Sequence, residues 1–251
     1  MMTRPRCRTL CLFFLALVLA SCSTRSISNS GYRAGEGWSG ADNPLYQGEL
    51  SEFDVLGISR GSSVTEEEIT GALADHRPVS LRKGSTVLVI QSGAMLPDQP
   101  LVAALERDYA VAGFSGVPPA VAKGEGKEPA AQTSYFMALR LAAARGGTEK
   151  VVVVWGVLET AQEDLVTRAV SWVPVVGWAL PDQRQQMRIR LKVAVIDVAS
   201  GRWALFLTPP VTDEAVSAFL GRQASDQEQV ALLKDKAYVA LADELATRFG
   251  R

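Results

Sequence analysis

Apolar and polar positions alternate in a pattern that opens with an uncharged run from Leu10 to Ala20 and passes into a polar stretch from Ser23 to about Asn43. The run is shorter than the roughly 20 apolar residues that a membrane-spanning helix needs, and no later stretch supplies them. The polar stretch, rich in Ser, Gly, Asn and Arg, reads as a flexible tether, residues 22–43, with an extended reach on the order of 70 Å. A short lead-in, residues 44–83, follows. In it Phe53 to Ile58 is expected to be a strand and Thr65 to Ala74 a helix. Thr65 and Glu68 have capping-box spacing, and Glu66, Glu67 and Glu68 suit the positive end of the helix dipole, a structural role rather than a catalytic or metal-binding one.

The main domain, residues 84–251, begins with the apolar run Ser85 to Ile90, bounded by Gly84 and Gly93, the pattern of a central strand. Asp98 can cap a helix from Gln99 to Asp108, and Ala110 to Phe114 reads as a second strand. A Pro- and Gly-containing loop from Gly116 to Pro129 leads to a helix from Ala131 to Arg145, closed by Gly146 and Gly147. Val151 to Leu158 is apolar on both parities and is expected at the sheet centre. From Met187 to Val195 the odd positions are apolar while Arg188, Arg190 and Lys192 occupy even ones, a strand with one dry face. A turn at Ala199 to Gly201 leads into a strand from Trp203 to Leu207. The last helix is expected to start at Ser225, with Val230, Leu233, Ala237, Leu241, Leu245 and Phe249 as its buried stripe. The order of elements predicts an α/β fold, a single mixed sheet with helices packed against it.

Arg4, Arg6 and Arg8 precede the first apolar run, giving the charged start of an export signal over residues 1–21. The run ends in Leu19, Ala20, Ser21 and Cys22, which resembles the lipobox of bacterial lipoproteins. That resemblance implies cleavage before Cys22, acylation of its sulfur with palmitate-type chains, and stable anchoring in a membrane. Ser23, rather than Asp, follows the cysteine, which by the enteric rule implies the periplasmic face of the outer membrane. Cys7 and Cys11 leave with the leader, so the mature chain has no disulfide.

Removing the three leader arginines leaves 23 basic against 27 acidic residues, a balance of −4 that argues against a nucleic-acid partner. The one histidine, His76, lies in a polar stretch and reads as a solvated loop residue, so no His/Cys metal cluster and no catalytic triad is expected. Gly113, Ser115 and Val117 fail the nucleophile-elbow pattern because Val stands where its second Gly is required. Gly126 and Lys127 are followed by Glu128 rather than Ser or Thr, so they form no phosphate loop. No cofactor and no catalytic residue is assigned. Ser92, Asp98 and Ser115 follow two parallel strands where ligand crevices form, and they mark the place for a small-molecule pocket if they are not simply turn residues.

The stretch from Ala169 to Pro181 is uncharged and carries Trp172, Val175 and Trp178. Pro174 and Gly177 argue against a regular strand through its centre. It either folds onto the core or meets a partner or membrane, and Arg188 and Arg190 nearby would suit an anionic headgroup or glycan. Thr86 to Ile90, Val151 to Gly156 and the turn within Val193 to Arg202 resemble the fold shared by LpoB, the periplasmic domain of CsgG and the TolB N-terminal domain. That resemblance implies non-enzymatic binding or assembly in the cell envelope. The chain departs from CsgG in lacking two clear hairpins of membrane length. The expected function is a lipid-anchored, non-catalytic envelope module with an envelope protein or glycan as partner. The alternatives are a periplasmic serine-type hydrolase and an oligomeric secretion-channel subunit.

Overall fold

The computed structural model describes residues 25–30, 45–58, 63–119, 134–163, 170–174, 185–214 and 222–250, and side chains outside 160–186 and 213–228. The expected leader, Cys22, Val175, Trp178 and residues 120–133 lie outside the described residues. The elements are β1 (Arg25–Ser26) with a 3-10 turn (Ile27–Asn29), α1 (Glu52–Leu56), α2 (Glu66–Ala74), β2 (Thr86–Gln91), α3 (Gln99–Glu106), β3 (Ala110–Phe114) and α4 (Tyr135–Arg145). They continue with β4 (Lys150–Glu163), β5 (Val170–Pro174), β6 (Gln185–Asp197), β7 (Trp203–Leu207), β8 (Val211–Glu214) and α5 (Arg222–Phe249).

All the strands join one mixed sheet with the order β3-β2-β4-β6-β7 along its main path. Consecutive β-branched residues with both faces dry make β4 the centre, as expected, and it pairs with β6 from Lys150↔Asp197 to Gln162↔Gln185. β2 lies parallel to both β3 and β4, the result of two strand-helix-strand steps. One face packs Val87, Val89, Val152, Val154 and the odd residues of β6 from Met187 to Val195 against α3 and α5. The other packs Leu88, Ile90, Val151, Val153, Ala194 and Ile196 against α1 and α4. The expected stripe of α5 is buried in the first of these clusters, with Phe249 partly buried at its end.

Several local expectations change. Phe53 to Ile58 is not a strand: Glu52–Leu56 is a helix with Glu52 and Asp54 in its first turn, and Gly57 ends it in the left-handed region. A six-residue apolar run cannot by itself distinguish the two periods. Ser225 does not begin the last helix, which already starts at Arg222. The capping box of Thr65 and Glu68 is present in full, but the helix it starts, α2, buries none of its residues. β5 was not expected. Pro174 ends the strand, opposite Glu159, rather than interrupting it.

The largest departure is in the stretch expected to be a tether. Arg25 and Ser26 pair with Leu158 and Val157 of β4, and Ile27 is fully buried. Gly156, inside β4, makes this possible: a Cβ there would stand 2.3 Å from Ile27 Cδ1.

Candidate functional site

The strand order reverses at β2, because β3 is added on one side of it and β4 on the other. The carboxyl end of β2 is thus the place where an open α/β sheet takes a ligand. Here that crevice is occupied by the chain itself. Beyond Gln91↔Val154 the edge of β4 loses β2, and β1 takes the vacated edge at Val157 and Leu158.

Polar contacts tie the segment down. Ser28 Oγ donates to the carbonyl of Ser92 at 2.6 Å and accepts from Gln91 Nε2 at 3.0 Å. Gln91 Oε1 accepts the Asp98 amide at 2.8 Å, so one fully buried glutamine joins the N-terminal segment to the start of α3. On the opposite face, Ser92 Oγ accepts the Leu50 amide at 2.8 Å, while Trp155 Nε1 donates to the Leu50 carbonyl at 2.9 Å. Gly116 closes the site from β3: a Cβ would lie 1.9 Å from the Gln91 carbonyl oxygen, so only glycine permits this approach.

The three residues assigned to a pocket therefore have other occupations. Ser92 is 1% exposed and its hydroxyl is engaged. Ser115 Oγ accepts the Val117 amide at 3.4 Å, a local turn contact. Asp98 stands at the N-cap of α3 without a side-chain cap bond. Its Oδ2 instead accepts Tyr238 Oη at 2.6 Å and Lys234 Nζ at 3.0 Å, bridging α3 to α5. Burial, and the Asp98 charge beside it, push the Tyr238 hydroxyl well above its ordinary value, so it serves as a donor.

The basic stripe is also largely committed. Arg188 and Arg190 both donate to Glu159, and Lys192 pairs with Glu52. Burial alone would raise the Glu159 carboxyl, but hydrogen bonds from Arg190 and Arg188 outweigh it and hold it below the usual range. Trp172 lies in β5, its backbone opposite Ala161. His76 is exposed. Among the described residues no group of three or more His, Cys, Asp or Glu is arranged to hold a metal ion, and no helix is long and apolar enough to cross a membrane.

At the other end of the sheet, Asp197 accepts from Lys150 Nζ and from the Ser200 hydroxyl and amide in the β6-β7 turn. Burial opposes ionisation, yet these bonds lower its pKa from 3.8 to about 2. A lowered folded pKa contributes stability above the unfolded value, which is lost as pH falls through the folded one. Urea unfolding is accordingly expected to show the wild-type advantage over Asp197→Asn intact above about pH 4 and shrinking toward about pH 2. An advantage independent of pH across that window would contradict the assignment.

Sequence reasoning missed Gln91, Ser28 and Ile27. The available signals were a glutamine closing an apolar strand, and one isoleucine set among Ser26, Ser28 and Ser30 in an otherwise polar stretch.

Fold and crevice together define a single-sheet α/β module whose ligand position is filled by its own N-terminal segment. Residues 51–248 match the family model described as YafT bacterial lipoprotein, and the chain belongs to that family. It is an envelope lipoprotein with a membrane-anchored location. No curated protein matches the chain in sequence.

Proposed function

We propose that this lipoprotein is acylated at Cys22, sits on the periplasmic face of the outer membrane, and binds an envelope protein or glycan without catalysing a reaction. The observation that carries the reading is the self-filled crevice. Ser92, the serine best placed for a small-molecule site, spends its hydroxyl on the Leu50 amide and its carbonyl on Ser28. The family membership supports the anchor, and Ser23 after Cys22 supports the outer membrane. The end of the sheet that carries Trp172 is the contact surface, toward a membrane or a partner. The resemblance to LpoB and its relatives supports binding or assembly over chemistry.

Fatty-acid labelling and fractionation test the anchor, and crosslinking in intact cells tests the partner. Cys22→Ala is expected to lose the acyl label and to leave the membrane fraction. Wild-type protein is expected to give a discrete adduct with an envelope protein or glycan. Retained acylation in the variant contradicts the anchor, and covalent capture of Ser92 or Ser115 by a fluorophosphonate contradicts the non-catalytic reading.

A further inference from the structure

β1 changes what the lipid anchor does. Cys22 stands three positions before Arg25, so its Cα lies within about 11 Å of Arg25 however the chain runs. Arg25 is opposite Leu158, and β1 is antiparallel to β4, so the amino end of β1 points toward Glu159. On that side β4 continues to Glu163, about 17 Å past Leu158, flanked by β5 along the same edge and by β6 and β8 on the other. The headgroup layer of a bilayer leaflet is only about 5–8 Å thick. A bilayer reached by an anchor so close to Arg25 cannot stand clear of strands that run farther in the same direction.

Resting on the Cys22 reading, we infer that β1 is a short leash that holds the strand end formed by Glu159–Glu163, β5, the start of β6 and β8 against the lipid surface bearing the anchor. The composition suits that contact. Val170–Pro174 carries no charge and includes Trp172, a residue type that favours the headgroup zone. Arg188 and Arg190 both pair with Glu159, while Glu163, Asp213 and Glu214 leave this end with 2 basic against 4 acidic residues, so the uncharged strand rather than charge suits it to lipid. The β6-β7 turn at Ala199 lies at the opposite end of the sheet and faces away from the bilayer.

The mature chain offers no cysteine besides Cys22, so single labels can be placed cleanly. The acylated full chain, reconstituted in phosphatidylethanolamine and phosphatidylglycerol vesicles, carries an environment-sensitive nitrobenzoxadiazole dye at Ser171→Cys or at Ala199→Cys. Spin-labelled lipids are expected to quench the dye at 171 several-fold more than at 199. Inserting about 20 Gly/Ser residues between Thr24 and Arg25, an added mean reach of about 25 Å, is expected to abolish that difference while circular dichroism and acyl mass stay unchanged. Equal quenching at the two positions in vesicle-bound, acylated protein overturns the leash and leaves the anchor standing. Quenching at 171 that survives the insertion also overturns the leash. Protein that carries no acyl mass and fails to float with vesicles overturns both.

Discussion

Ile27→Ala is expected to destabilise the domain by about 2–5 kcal/mol, a large share of the total for a single α/β domain, although the residue belongs to a stretch with no other feature of a core. Ile27 is fully buried against the α5 side of the sheet, in the same cluster as Leu158, Leu241 and Leu245. Losing it also frees Ser28, whose hydroxyl links Gln91 to the Ser92 carbonyl. Gly156→Val attacks the same contact from the other side, because its Cβ would fall 2.3 Å from Ile27 Cδ1. The two changes act on one interaction, so their effects are expected to fall well short of additive. Urea unfolding measures the loss, and limited proteolysis is expected to find a new cleavage at Arg25 in both variants. Wild-type stability in Ile27→Ala, with no new cleavage, would falsify the placement of β1.

The features legible in the sequence are those specified locally. Val151 to Leu158 announces a covered strand because β-branched residues fill both parities, and Met187 to Val195 announces a half-wet one because they fill only one. Thr65 and Glu68 satisfy each other's amides within one turn, so their capping box needs no tertiary partner. The crevice was a different problem. Its position at the end of β2 follows from topology, but its occupant comes from more than 60 positions away: the Ser28 and Gln91 side chains are separated by 63. No periodicity connects such residues. Asp98 shows the same divide, since its place before α3 was readable while its partners on α5 were not. Arg188, Arg190 and Lys192 were likewise visible as the basic positions of β6, but their acidic partner on β4 was not: the cross-strand register sets Glu159 opposite Arg188 and so decides that these cations are mostly paired.

Asp98→Ala is expected to cost about 2–3 kcal/mol, because it leaves two donors without their shared acceptor. Tyr238 is fully buried and Lys234 has 14% of its side chain exposed, so water replaces the lost carboxylate poorly at the first and incompletely at the second. Tyr238→Phe removes only the hydroxyl and is expected to cost about 1–2 kcal/mol, with Asp98 keeping Lys234 as its partner. Because both bonds end on Asp98 Oδ2, the double variant Asp98→Ala, Tyr238→Phe is expected to be less destabilised than the sum of the two. The positive coupling is the signature of a bridge between α3 and α5, and chemical denaturation of the four proteins in one buffer yields it directly. An Asp98→Ala cost within about 0.5 kcal/mol, the range of ordinary surface substitutions, would mean that Lys234 and Tyr238 find other acceptors and that Asp98 is not the tie between the two helices.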